Sequence, residues 1–178
     1  MMQIQDLILI ALFAAITAVC SIITIPIGMV PITLSLVAVF LCGVILEPKA
    51  AALAQIVYLL VGLIGLPVFS GMRGGLGVLL GPTGGYLLAY PLMAWLTAWL
   101  LSRLPEKKLG WAIASLMLAL LICYGFGTAW LCGVLHLSLR QGLLVGVVPF
   151  IVFDLIKIGV AASVGLKVSE GLKKSHLI

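Results

Sequence analysis

Asp154 and Lys157 stand three residues apart in the segment Ile151-Val-Phe-Asp-Leu-Ile-Lys-Ile158, which otherwise holds only apolar side chains. On a helix this spacing is one turn, so both groups share a face. Such a pair can neutralise itself as a structural ion pair, or it can line a cavity and offer an acceptor and donors to a ligand. Neither group is exhausted by a single contact. Ionisable groups inside an apolar helix are costly and tend to mark functional sites, which favours the cavity reading.

Other polar groups repeat the pattern. Gln55 and Tyr58 lie one turn apart, as do Tyr86 and Tyr90. Tyr58 and Tyr86 also suit packing or interfacial anchoring, whereas Gln55 and Tyr90 lie deeper and are candidate ligand contacts. Between them runs the longest irregular stretch, 66–82, rich in glycine and carrying one charge, Arg73. Gly74 and Gly75 beside that arginine permit close backbone approach and positive φ. Thr83 can cap the following helix, whose free N–H groups make a plausible anion site. The stretch reads as a lid over a ligand or as a flexible connector, and a loop this long in a compact protein favours the first.

Catalytic chemistry finds little support. His136 falls in a short connection and His176 near the end of the sequence, with no second catalytic group at the depth of Asp154. The glycine stretch contains neither GxGxxG nor GxxxxGK[ST], so nucleotide hydrolysis within the chain is unsupported. Cys20, Cys42, Cys123 and Cys132 lack metal-ligand spacing and sit in apolar runs as small buried hydrophobes. No metal or cofactor is expected.

These residues must be positioned by membrane helices. Charged residues are 8% of the 178 and hydrophobic ones 64%, whereas a soluble domain needs roughly 25% charged residues. The apolar runs are continuous, not alternating, which argues against a β-barrel. They predict an all-α integral membrane protein, one transmembrane domain over 1–178, with six helices at about 4–25, 32–46, 49–65, 83–103, 111–134 and 142–170 and an external loop at 66–82. At about 1.5 Å per residue, Asp154 would lie about 12–20 Å along the sixth helix. That is near the middle of a hydrocarbon layer of about 30 Å.

With the N-terminus inside, Lys49, Arg103, Lys107, Lys108, Lys167, Lys173 and Lys174 are cytoplasmic, and only Arg73 and Arg140 are outside. The asymmetry predicts both termini inside the cell membrane. The net charge of +5 therefore reflects topology and not nucleic-acid binding. The first run follows Met-Met-Gln-Ile-Gln-Asp, without a basic leader or cleavage site, and is expected to be a retained helix. It carries a stripe of small residues, Ala11 and Ala15 with Ala14 and Ala18 in the adjacent frame. That spacing permits close helix approach, within the chain or onto another membrane subunit.

Taken together, Gly65-Leu-Pro-Val-Phe-Ser-Gly71 through Gly81-Pro-Thr-Gly-Gly-Tyr86, Val30-Pro-Ile-Thr33 and Phe153-Asp-Leu-Ile-Lys157 resemble the signatures of the BioY biotin transporters. These are the substrate-binding S components of energy-coupling factor (ECF) transporters. The resemblance covers essentially the whole chain. One departure is Ser35, where the family pattern leads to glutamine. The resemblance implies a six-helix S-component fold, high-affinity capture of biotin from outside, and association with a transmembrane coupling subunit and two cytoplasmic ATPases. It also implies that the helix 1 alanines face the coupling subunit.

On that footing the ureido N–H groups of biotin would donate to Asp154 and its carbonyl would accept from Lys157. Arg73 would meet the carboxylate, and Gln55, Gly74, Gly75, Tyr86 and Tyr90 would complete the pocket. The rivals are an S component for another vitamin and a membrane-embedded enzyme using Asp154 and His136.

Overall fold

The computed structural model describes residues 3–26, 30–105 and 108–175. His176 and Lys107, which entered the sequence reading, lie outside the described residues. The elements are α1 (Ile4–Ile22), β1 (Thr24–Ile25), β2 (Ile32–Thr33), α2 (Ser35–Ile45), α3 (Pro48–Leu63), α4 (Leu76–Leu80), α5 (Gly84–Ser102), α6 (Leu109–Leu135), α7 (Leu139–Gly146) and α8 (Ile151–Lys174).

The protein is an all-α integral membrane protein. Side chains such as Ile4, Leu12, Leu60, Trp111, Leu121 and Ile156 project outward, where only lipid solvates them without cost. Among the described residues α1, α5 and α6 are long and apolar enough to cross a bilayer, and α7 with α8 makes a fourth span if the bent pair is taken as one. α2 and α3 are apolar but shorter.

The two central helices are α2 and α5. α2 packs on α1, α5 and α8, and α5 packs on α3, α6 and α2. Nine of the eleven α2 residues are buried, so this helix is apolar on every side for the reason that every side meets protein. α3 begins at Pro48, whose missing N–H is no loss at the first helical position.

Three departures from the expected helices have local causes. The first helix stops at Ile22, not 25, because Thr24–Ile25 pairs antiparallel with Ile32–Thr33, Thr24 facing Thr33 and Ile25 facing Ile32. The β-branched run Ile22-Ile-Thr-Ile25 before Pro26 suits extended backbone. The hairpin also shortens the second helix, which begins at Ser35.

The stretch 66–82 is more ordered than a bare connector. It contains α4, and Phe69 and Arg73 exchange backbone hydrogen bonds (2.9 and 3.3 Å) around a tight turn. Phe69 is fully buried and meets Tyr58 edge-on at 5.6 Å, so the loop is fastened to the helices beneath it.

The third departure matters most for function. The helix expected over 142–170 is two helices, α7 and α8, bent by 52° at the break 147–150. Pro149 has no N–H for the carbonyl one turn back and its ring crowds that turn. Gly146 and the β-branched Val147 and Val148 add no helix preference there.

Candidate functional site

The break sets the depth and the electrostatics of Asp154. Instead of lying mid-helix, Asp154 occupies the first turn of α8, its N–H bonded to the Phe150 carbonyl at 2.8 Å. The positive end of the helix dipole stabilises a carboxylate in that position. Lys157, one turn on, donates to Asp154 Oδ1 at 2.8 Å. From α6 the Tyr124 hydroxyl donates to Oδ2 at 2.6 Å. Asp154 and Lys157 are only 4% and 9% exposed. The carboxylate is therefore held from two helices, with lone pairs left over.

Asp154 and Lys157 line a cavity of about 60 Å³. Its other walls come from the hairpin (Val30 to Thr33), α5 (Tyr86, Tyr90), α6 (Cys123, Tyr124) and the break (Gly146, Phe150). A neighbouring cavity of about 50 Å³ shares Val30, Pro31, Thr33, Tyr86 and Tyr90 and extends to Ser35, Thr83 and Arg73. The two share the walls made by Tyr86 and Tyr90, with the buried ion pair lining one and the exposed arginine the other. Neither alone reaches the several hundred Å³ of a typical small-molecule site, so a ligand filling both must move the side chains between them.

The dividing side chains are themselves bonded. Tyr90 hydrogen-bonds Ser35 Oγ at 2.9 Å, and Ser35 hydrogen-bonds Thr33 Oγ1 at 2.6 Å. The Tyr90 ring stacks on Tyr58 at 6.4 Å, and the Tyr58 hydroxyl donates to Ser21 at 2.9 Å. Tyr86 donates to the carbonyl of Gly146 at 3.1 Å, the last residue of α7. A Cβ on Gly146 would overlap the Tyr86 hydroxyl, so this contact requires glycine there.

Of the sequence-derived candidates, Asp154, Lys157, Tyr86 and Tyr90 converge on the first cavity and Arg73 on the second. Arg73 and Gly74 also line a wider depression of about 530 Å³ with Gly77, Gly81, Pro82 and Thr83. Gly75 contributes backbone: its φ of 89° suits glycine, and its N–H bonds Gly62 O at 2.7 Å.

Gln55 lies elsewhere. It is fully buried between α3 and α1, donating to Thr17 Oγ1 at 3.3 Å, and lines neither cavity. A three-residue spacing from Tyr58 could not reveal that the glutamine faces α1. Thr83 occupies the N-cap position of α5 but in helical backbone conformation, and its side chain makes no cap hydrogen bond; a cap needs extended backbone to aim the oxygen back. His136 closes α6 in the left-handed conformation and is not among the residues around Asp154.

Tyr124 escaped the sequence reading, and Thr33 and Ser35 entered it only through the family pattern, not as a hydrogen-bonded pair beside Tyr90. Tyr124 carried the same signal as the other tyrosines, a polar group inside an apolar span, with Thr128 one turn further along the helix. In α1 the four alanines divide: Ala14 is buried and Ala18 half-buried, whereas Ala11 and Ala15 face outward.

Comparison with known proteins gives a consistent picture. The family model described as "BioY family" matches residues 1–174. The biotin transporter BioY of Thermotoga maritima is 41% identical over 168 residues, 93% of this chain and 96% of that protein. The biotin transporter BioY2 of Lactococcus lactis subsp. cremoris is 38% identical over 174 residues, covering 98% and 95%. Among solved structures, the S-component for biotin from an ECF-type ABC transporter superposes with a TM-score of 0.88 at 27% identity, covering 94% of this chain and 92% of that one. The helical arrangement is thus that of an S-component fold, and the chain belongs to the BioY family.

Proposed function

We propose that this chain is the biotin-binding subunit of an ECF-type vitamin importer, capturing biotin with high affinity and delivering it through a coupling subunit energised by two ATPases. The names of the relatives and the similarity to a biotin S-component support the substrate. The observation that carries the reading is the buried Asp154–Lys157 pair, joined by half-buried Tyr124, in the wall of a largely apolar cavity. Biotin offers an apolar bicycle, a ureido group with two donors and one acceptor, and a carboxylate. Asp154 accepts from the ureido N–H groups, and Lys157 donates to the ureido carbonyl. The tyrosines flank the bicycle, with the carboxylate directed towards Arg73.

The excess of lysine and arginine at the end opposite Arg73 supports a cytoplasmic placement of both termini in the cell membrane, with the cavity open to the outside. The outward-facing Ala11 and Ala15 of α1 support close docking of the coupling subunit there. The chain itself carries no catalytic role, and biotin is the ligand it transports.

Equilibrium binding of radiolabelled biotin to the purified protein, with thiamine and riboflavin as competitors, tests the assignment. Displacement by unlabelled biotin alone is expected. Displacement by either other vitamin, or no binding at all, overturns it.

A further inference from the structure

Tyr90 walls both cavities of the ligand site and is held at its ring and at its hydroxyl. The ring stacks on Tyr58, which is itself buried and braced by Phe69 and Ser21. The hydroxyl lies 2.9 Å from Ser35 Oγ, and Ser35 Oγ lies 2.6 Å from Thr33 Oγ1. Tyr90 is 6% exposed and Ser35 1%, whereas Tyr86, the other tyrosine shared by the cavities, is half-buried. Tyr90 is thus the fixed wall of the two.

The backbone fixes where these hydroxyls stand. Thr33 ends β2, and the next N–H, from Leu34, continues the hairpin by donating to the Ile23 carbonyl at 3.2 Å. Ser35 opens α2, and its hydroxyl turns sideways to Thr33 and Tyr90. Among the described residues no hydrogen bond joins the Tyr90 hydroxyl to a group outside this chain of three.

The worth of the chain depends on what fills the site. Each cavity, of about 60 and 50 Å³, has room for a water molecule. With water there, a Tyr90 hydroxyl deprived of Ser35 would still find a partner. An apolar ligand body that displaces the water would strand that hydroxyl in a dry wall. A buried hydroxyl left without a partner costs more than an ordinary hydrogen bond contributes. The loss therefore falls on the occupied site.

We propose that Thr33 and Ser35 are positioning residues for ligand binding. Together they hold the Tyr90 hydroxyl, so that the site closes dry around its ligand, and they act through Tyr90. This role presupposes biotin filling both cavities.

Equilibrium binding of radiolabelled biotin to the purified full-length protein tests it, with Thr33→Val and Ser35→Ala combined. The double variant should bind about tenfold more weakly. In a Tyr90→Phe background the same two substitutions should change affinity by less than about twofold, since no hydroxyl remains to be held. The melting temperature with saturating biotin should fall more than that of the ligand-free protein. Ser35→Ala alone should give the same pattern with a smaller loss. An affinity loss below about twofold overturns the proposal. So does an equal loss in both backgrounds, which would mean direct contact with the ligand. Equal lowering of the two melting temperatures, the mark of a merely structural role, also overturns it, and that comparison needs no Tyr90 variant. Failure of the unmodified protein to bind biotin would overturn the substrate assignment and this role with it.

Discussion

The Tyr124 hydroxyl and the Asp154 carboxylate lie on different helices yet meet at 2.6 Å, a distance typical of a charge-assisted O–H···O⁻ bond. This bond ties α6 to the first turn of α8 and fixes which way Oδ1 and Oδ2 point. Tyr124→Phe should leave the protein folded and weaken biotin binding by roughly tenfold, the value of one hydrogen bond to a charged group. Unchanged affinity in an equilibrium binding assay would show that Asp154 is oriented without α6.

Asp154→Asn keeps the side chain's shape but removes its charge, leaving buried Lys157 without its carboxylate partner. Biotin affinity should fall by at least about tenfold while the protein remains monodisperse in detergent. A variant that binds normally would make the pair structural and displace the site from this end of the cavity.

Arg73 is exposed, with its Nε donating to the Ser70 carbonyl at 3.1 Å. Arg73→Ala should weaken biotin more than biotin methyl ester, because only the acid offers a charge to the arginine. Equal losses for the two ligands would move the carboxylate to the start of α5.

Gly146 and Tyr86 should show strong coupling in a double-mutant cycle. Gly146→Ala alone forces the tyrosine away and should cost about 1–3 kcal/mol, as overpacking does. Tyr86→Phe alone loses one hydrogen bond, about 1 kcal/mol. Combined, the two should cost less than their sum, since phenylalanine removes the hydroxyl the new methyl would strike. Additive losses of thermal stability would argue that the contact relaxes freely.

The alanines of α1 separate assembly from folding. Ala15 faces outward, so Ala15→Leu should weaken co-purification with the coupling subunit and spare biotin binding. Ala14 is 7% exposed and packed in the core, so Ala14→Leu should lower thermal stability instead. If Ala15→Leu depresses both readouts equally, the outward stripe is not a docking face.

What the residues revealed in advance follows from how each signal works. Continuous apolar runs and lysine placement made a helical membrane fold legible, because a chain spanning lipid must satisfy its backbone in helices or a closed barrel, and a barrel would alternate. The Asp154–Lys157 pair stood out since two charges in an apolar helix have no other cheap place to be. The break before Asp154 was also written in the chain, in Gly146-Val-Val-Pro149. Hydropathy hides it, because those residues are as apolar as a helix. Gln55 shows the reverse failure: its depth was readable, but which neighbour it faces depends on the rotation of α3 against α1, which no local spacing encodes. The Thr33–Ser35–Tyr90 chain was out of reach for the same reason, as it joins residues 55 positions apart.

Because the ion pair is buried and Arg73 is exposed, the two ends of the ligand site obey different ionic-strength laws. Mobile ions reach the arginine freely, and the screening length there shrinks from about 10 Å at 0.1 M salt to about 3 Å at 1 M. They do not reach the first turn of α8, where the field comes from one lysine and a helix end inside apolar walls. The salt dependence of biotin affinity thus isolates the contribution of the mouth from that of the floor.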